Sequence, residues 1–459
     1  MKVLLVIPIN RTYVVMPSLG LGYVASTLRE AGHSIEILHC IKEKYSYEDF
    51  ERHLKTHKYD LIGYQMFTYD VNSIIKHVEI AKAVNGNMLN VLGGYHPSGD
   101  PLGVLDTVAL ADYALASEVE LAFSLFLEEL GKSKPNFSAV PNLIWRNEEG
   151  TIQVNPIRLV EDLDTIPFPA WDLMDPRGYP ESPHGGFVKS FPTAPLIITR
   201  GCPMKCTFCS GKSITTDHLR RRSIGNVIEE IKFLREHYGV NDFLIEDENI
   251  THHKKFAREF CETLIEQKLN INWSCPSGVR LDTLDLNLLK LMEQSGCYSL
   301  SVGVEFGSQR IHDLTKKNLS INTITEKLEL FKHVNIQTTG FFLMGIPGET
   351  KEEMLQTIRF AKKLRLDRAQ FNNFMPLPGS ELYTQLKQKI GQTFDYDHYF
   401  VHDVGYVPEG MTRSAMKALQ RKAYMEFYFR PKIIIKLLKQ IISLKQLMRL
   451  VNRFIDALH

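Results

Sequence analysis

Twice along this 459-residue chain, short apolar runs alternate with helical patterns, and that alternation limits the fold more than any other feature. In the first stretch "KVLLVI" (2–7), "SIEIL" (34–38), "DLIGY" (60–64), "LNVLGG" (89–94) and "DYALA" (112–116) read as strands. Helical patterns follow over about 20–31, stopped by Gly32, over about 46–56 and 71–83, and in "EVELAFSLFLEELG". Strands separated by helices imply a parallel sheet covered on both faces. Five such units suit the flavodoxin-like order, whose ligands sit beyond the carboxyl ends of the strands at the switch point.

A second run begins with "LIITR" (196–200) and continues through "FLIE" (243–246), "NWSC" (272–275), "LSVGVE" (300–305), "TGFFLMG" (339–345) and "AQFNNFM" (369–375). Helical patterns separate them; over 224–238, Val227, Ile228, Ile231 and Leu234 share one face. Six β/α units imply a partial barrel, with chemistry at the carboxyl ends of its strands. Cys202, Glu246, Glu305 and Glu349 fall just after strands. Between the runs, residues 133–190 hold eight prolines, and "DLDTIPFPAWDL" is too aromatic for a solvated coil. The reading is therefore α/β: a Rossmann-like domain over 1–135, a connector over 136–190, a partial (β/α)6 barrel over 191–400 and a helical basic region over 401–459.

The net charge of +1 gives no basic field that would argue for nucleic acid. Seven cysteines, three of them in one loop, do not form a secreted disulfide framework. The N-terminal apolar run breaks at Pro8, and no stretch reaches the roughly 18–20 apolar residues of a spanning helix, so a cytoplasmic protein is expected. "RPKIIIKLLKQIISLKQLMRLVNRF" carries seven Lys/Arg and no acid. A basic amphipathic helix of this kind can lie on an anionic membrane or pack on the barrel. Arg220–Arg222 reads equally as an anion site or a solvated turn.

The loop "RGCPMKCTFCSGK" (200–212) places Cys202, Cys206 and Cys209 in a C-x-x-x-C-x-x-C run. A common iron–sulfur cluster and a structural zinc site each take four ligands, so three thiolates either form an unusual structural site or leave a metal position open.

Directly after a strand and before a barrel, this run resembles the radical S-adenosylmethionine (radical SAM) enzymes. The resemblance implies that the three thiolates hold three irons of a 4Fe–4S cluster. The fourth iron is left to the amine and carboxylate of S-adenosylmethionine. It places Phe208 near the adenine. Glu246, Asp247 and Glu248 of "IEDENI" fall at the amine, and Glu305 of "GVEFGS" at the ribose and methionine. The backbone around Gly345 of "GFFLMGIPGET" flanks the adenine, Glu349 caps, and "PLPGS" (376–380) is an architectural turn. The N-terminal run resembles the cobalamin-binding domain of one branch of the family, similar to the anaerobic cyclase and methylase members. Thr68, Gly93 and Gly94 would line the channel for the nucleotide tail. "PINRTYVVMPS" lacks the D-x-H-x-x-G motif, which points to cobalt without a protein imidazole, and the position of His96 suggests a loop role. The frequent Gly-Glu pair after the fifth strand reads Ser117-Glu118.

The activity implied is reductive cleavage of S-adenosylmethionine to methionine and a 5′-deoxyadenosyl radical that abstracts hydrogen from an unreactive C–H bond. In methylating members, methylcobalamin then hands over a methyl group. A methyltransferase is the preferred reading. A non-methylating cyclase or rearrangement enzyme with the same cofactors, and a non-catalytic iron–sulfur or cobalamin sensor, stay open. The implied partners are a small-molecule, lipid or natural-product substrate and an electron donor such as flavodoxin or ferredoxin.

Overall fold

The computed structural model describes residues 1–12, 14–181, 187–390, 395–400, 403–438 and 448. The first sheet contains β1 (Lys2–Ile7), β2 (Ser34–His39), β3 (Leu61–Gln65), β4 (Leu89–Gly93) and β5 (Tyr113–Leu115). Their order is β2-β1-β3-β4-β5, all parallel, which is the expected flavodoxin-like arrangement. Alternate residues of β1 go to opposite faces. Leu4 and Val6 join one core with Ile62, Tyr64 and Leu92, while Val3, Leu5 and Ile7 join the other with Leu61, Val91 and Leu115. Both faces are thus covered by helices, as a parallel sheet requires.

The sheet does not stop at five strands. β6 (Leu143–Arg146) and β7 (Ile152–Val154) add an antiparallel hairpin to its edge. These residues fall within the stretch read as an extended connector. The turn between them is closed by Asn147, whose side-chain oxygen accepts from Glu149 and Thr151 N–H, and by Gly150 at φ +79°. The rest of the connector is packed. Leu163, Ile166 and Trp171 are buried beside Leu19 and Tyr23 and the barrel helix Ile224–Tyr238. The Trp171 indole N–H donates to Glu230 at 3.0 Å.

The second sheet holds six parallel strands in the order β15-β14-β13-β12-β11-β8. They are β8 (Thr193–Leu196), β11 (Asp242–Ile245), β12 (Asn272–Val279), β13 (Cys297–Glu305), β14 (Gln337–Met344) and β15 (Arg368–Asn373). The run read as one strand over 196–200 is divided. β8 ends at Leu196, and β9 (Thr199–Arg200) leaves the barrel to pair antiparallel with β10 (Arg220–Arg221).

Helix Arg413–Tyr428 covers the open edge at β15. Tyr424 and Tyr428 hydroxyls accept from Phe371 and Ala369 N–H, and Gln420 donates to the Phe371 carbonyl. An exposed strand edge invites pairing with another chain, and this helix removes it. The basic tail is described only through helix Pro431–Leu438 and Met448. Ile441, Ile442 and Leu444 lie outside the described residues. No described helix is long and apolar enough to cross a membrane.

Candidate functional site

The β9–β10 pairing closes residues 201–219 into a loop that carries all three cysteines. Gly201 sits at φ +103° with the His218 carbonyl 2.2 Å from where a Cβ would be, so only glycine admits this crossing. Cys202 N–H donates to Thr216 (3.2 Å), and Cys209 N–H to Cys206 (3.2 Å). Thr207 pins the loop to the barrel by donating to Thr315 (3.0 Å) and accepting from Leu382 (2.9 Å). The three thiols are free and stand on a fixed backbone.

Two largely buried cations face them. Arg280 and Lys317 favour the thiolate forms of Cys202 and Cys209, while burial pushes the Cys209 thiol up to about 11. Arg280 is fixed by Asp282 and by the Lys317 carbonyl. The adjacent cations suit the negative charge of three thiolates on one cluster.

The acidic run after β11 divides its work. Asp247 is buried, and its oxygens accept from Ile198 N–H (2.7 Å), Thr199 N–H (2.8 Å) and the Thr199 hydroxyl (2.7 Å). It therefore clamps the segment between β8 and β9 and does not face the cavity. Burial raises its pKa to about 7 against those three donors. Glu246 and Glu248 do line the cavity. Glu246 accepts from Ser277, and Glu248 accepts from Thr215 (2.6 Å) and from Gly201 N–H (3.3 Å).

Glu305, at φ +66°, pairs with Lys317 at 2.9 Å. The pair occupies space that a Cβ on Gly303 would fill, 2.6 Å from the carboxylate and 2.7 Å from the ammonium. Phe208 packs edge-on against Phe306, with the Lys317 ammonium 6.0 Å above its ring. Gly345 is at φ +85° against Met416 of the C-terminal helix. Glu349 closes that turn by accepting from Gly345 N–H (2.6 Å) and Ile346 N–H (3.1 Å). The helix that follows is capped instead by Thr350 with Glu353.

A cavity of about 490 Å³ lies between the strand ends of the two domains. The first domain contributes residues after β1, β3, β4 and β5, including Asn10, Asp70, Gly93, Gly94 and Ser117; the barrel contributes Arg200, Glu246, Glu248 and Ser277. A Cβ on Gly20 or Gly93 would meet nothing closer than 4.0 Å, so both leave the floor bare. Gly94, at φ +111°, turns the chain against Met66. Thr68 is buried behind this wall, 3.3 Å from His96 Nδ1. His96 itself does not reach the cavity, and burial lowers its pKa to about 4. Among the described residues the histidine that does reach it is His39, whose ring is held by the Lys42 and Met16 backbone.

Sequence reasoning did not single out the aromatic side of this wall. Tyr69, Phe67 and Tyr95 stack at 5.2 and 5.4 Å with near-parallel rings. Burial, and after it the carboxylates Glu248 and Glu246 of the other domain, push the Tyr95 phenol above its ordinary range. "MFTYD" and "GGYHP" offered three aromatic residues at strand ends as the signal, but not their register.

Nor did the sequence reveal the buried charges that join the domains. Glu118 accepts from both Arg220 Nη atoms at 2.7 Å, and Glu120 accepts from Arg200 at 2.7 Å. All four side chains are at most 8% exposed. Arg222 is likewise buried against Glu230 at 2.6 Å. The expectation for Arg220–Arg222 is thus corrected: Arg220 and Arg222 are interior ion-pair partners, neither a solvated turn nor an open anion site. Ser117, where the resemblance leads one to expect glycine, adopts φ +64°, a left-handed conformation that favours glycine. Its hydroxyl donates to the Ile214 carbonyl of the cysteine loop at 2.5 Å.

Residues 6–127 match the B12 binding domain, and residues 196–361 match the radical SAM superfamily. An uncharacterised methyltransferase of Pyrococcus horikoshii is 30% identical over 447 residues, 95% of this chain and 94% of that one. This chain belongs to the radical SAM superfamily, in the branch with a B12-binding domain. The cytidylyl-2-hydroxyethylphosphonate methyltransferase of Streptomyces wedmorensis is 28% identical, with 82% of this chain and 78% of that one covered. The anaerobic magnesium-protoporphyrin IX monomethyl ester cyclase of Rubrivivax gelatinosus is 27% identical, with 90% and 74% covered. The cobalamin-dependent S-adenosylmethionine radical enzyme OxsB, solved with aqua-cobalamin and S-adenosylmethionine, shares the fold at a TM-score of 0.74 and 15% identity, covering 98% of this chain and 70% of that one.

As a radical SAM enzyme of this branch, the protein uses a 4Fe–4S cluster, S-adenosylmethionine and cobalamin. Its own residues fit them. Three free thiols beside two cations suit the cluster, and a cavity whose floor glycines leave bare suits a broad ring.

Proposed function

We propose that this radical SAM enzyme methylates an unactivated carbon of a small organic substrate, using cobalamin. The observation that carries the reading is the shared cavity, which the B12-binding domain and the barrel enter from opposite sides with their strand ends. When bound, the cluster supplies the electron that cleaves the sulfonium, and cobalamin supplies the methyl group. The protein's part is to bind, orient and exclude water.

Cys202, Cys206 and Cys209 hold the cluster, with Arg280 and Lys317 offsetting its charge. Glu246 and Glu248 are placed to accept from the amine of S-adenosylmethionine, since charge-assisted hydrogen bonds to a cation are strong. Asp247 holds the loop from behind. Glu305 reaches the ribose side, and Phe208 and the turn at Gly345 border the adenine. Gly93 and Gly94 floor the cobalamin site, and Thr68 supports it through His96. Among the described residues the cavity histidine, His39, is held by backbone partners. The reductant is a small electron carrier such as flavodoxin or ferredoxin. We place the protein in the cytoplasm with its helix Pro431–Leu438 at a membrane surface, supported by Ile434, Ile435 and Leu438, which are 40–59% exposed.

The test is anaerobic reconstitution with iron, sulfide and cobalamin, followed by reductant and candidate substrates. Matching yields of 5′-deoxyadenosine and S-adenosylhomocysteine are expected. Deoxyadenosine without S-adenosylhomocysteine would favour a non-methylating reaction instead, the reading that the likeness to the cyclase supports. Cys206→Ala should give neither product; deoxyadenosine from that variant would remove the cluster assignment.

A further inference from the structure

A second cavity, of about 680 Å³, lies at the opposite end of the barrel from the reaction cavity. Its walls are the amino-terminal ends of β14 and β15, the end of helix Lys351–Lys363, and helix Pro431–Leu438. Seven lysine and arginine side chains line it, against two carboxylates, Glu329 and Asp367. The whole chain carries a net charge of only +1, so this is a strong local asymmetry.

The pairing is incomplete. Lys436 takes Asp367, and Lys362 reaches out to Glu426 at 2.7 Å. Lys332, Lys363, Arg365 and Lys432 have no carboxylate partner among the described residues. Lys362 and Lys363 complement the carboxyl end of their own helix, which is an ordinary arrangement. Lys432 is different. It sits in the first turn of helix Pro431–Leu438, where the helix dipole disfavours a cation. Arg430 adds a guanidinium whose Nη2 is buried without a partner while Nε and Nη1 hold the Phe427 and Lys362 carbonyls. Lys332, Lys363, Arg365 and Lys432 are exposed, so their charges are open to an anion from solvent.

A dissolved anion would need only the charges. Here Ile434, Ile435 and Leu438 project from the helix that forms one wall, and Phe429 is 59% exposed just before it. Apolar side chains beside unpaired cations match the two layers of an anionic bilayer surface, phosphate outside and acyl chain inside. We infer that this cavity is a docking site for an anionic phospholipid, with a headgroup phosphate among Lys332, Lys363, Arg365 and Lys432 and the apolar face of helix Pro431–Leu438 entering the acyl boundary. The inference rests on the membrane contact proposed above and specifies its chemistry. Because the site is at the far end of the barrel sheet, it anchors the enzyme without covering the reaction cavity.

The test is sedimentation of the full-length protein with vesicles of phosphatidylcholine alone or mixed with phosphatidylglycerol, at low and high salt. Binding is expected only to the mixed vesicles, at least tenfold weaker at high salt. The triple charge reversal Lys332→Glu, Lys363→Glu, Arg365→Glu should abolish it with unchanged thermal unfolding, and Ile434→Ser with Ile435→Ser should weaken it. Mixed-vesicle binding that survives the charge reversal but not the serine pair would overturn the cavity site and leave the membrane contact standing. No vesicle binding at all would overturn both. Equal binding to phosphatidylcholine alone would overturn the anionic lipid headgroup as occupant.

Discussion

Two residues show how locally the site is specified. Ser117 holds a left-handed backbone that costs a non-glycine residue about 1–2 kcal/mol, and recovers part of it through its hydrogen bond to Ile214. Ser117→Gly should therefore be close to neutral in urea unfolding, because relief of strain offsets the lost bond. Ser117→Ala keeps the strain and loses the bond, and should cost about 1 kcal/mol. Equal effects from both would mean that the backbone is not strained there. Asp70 makes a prediction about pH. It accepts from Asn10 (2.7 Å) and Phe67 N–H (2.9 Å), yet burial raises its pKa from 3.8 to about 7. An acid whose pKa is higher folded than unfolded binds its proton more tightly in the folded state. Its stabilising contribution is full below the unfolded value of 3.8 and is lost as pH rises through about 7. Asp247 and Glu349, also raised to about 7, add slopes of the same sign. The unfolding midpoint should fall between these limits, and Asp70→Asn, which imitates the protonated acid, should flatten part of that fall. Parallel curves for the variant and the parent would count against a raised pKa at Asp70.

At the level of elements, three turns meet closely where the two domains join. Gly99 ends a short helix of the first domain, with the Pro378 carbonyl 2.3 Å from where its Cβ would be. Gly379 of "PLPGS" would place a Cβ 2.7 Å from Ser213 in the cysteine loop and 3.1 Å from Gly99. Gly99→Ala should cost about 2 kcal/mol or more by overpacking, read by urea unfolding, while Gly86→Ala, with nothing closer than 4.0 Å, should stay near neutral. This join was only half legible. "PLPGS" announces a turn, but nothing in it says that the turn faces Gly99, nearly 280 positions earlier. The parallel strands were legible because each is a continuous apolar run followed by a helical period. The hairpin at β6 and β7 was not, because its strands span only four and three residues and sit among prolines. The cysteine spacing was fully legible, being local. The split of "LIITR" into β8 and β9 was hidden, because Asp247 pulls Ile198 and Thr199 out of the barrel ladder from 48 or more positions away. Likewise, "IEDENI" presents three acids with equal claims on a cationic ligand, and only burial shows that Asp247 turns inward while Glu246 and Glu248 face the cavity.

Across the whole molecule, the two proposed cofactor sites are mechanically one. Glu118 and Glu120 follow β5, whose end lines the first-domain side of the cavity, while Arg200 and Arg220 are the paired residues of β9 and β10 that close the cysteine loop. A change on the first domain should therefore be felt at the cluster. Glu118→Ala leaves Arg220 buried without its carboxylate, and breaking such a pair from one side costs about 3–5 kcal/mol. The loop hairpin should loosen before the rest of the barrel, since Asp247 and Thr315 hold the neighbouring segments independently. The expected result is a marked fall in iron and sulfide bound per chain after reconstitution, with far-ultraviolet circular dichroism nearly unchanged. Replacing both partners, Glu118→Leu with Arg220→Met, removes the stranded charge and should recover most of the stability. Iron content should recover with it only if the pair serves to hold the hairpin in place. If the double variant is stable yet still iron-poor, the charges themselves tune the loop. If Glu118→Ala alone binds iron normally, the domains are joined at this point without the cluster depending on it.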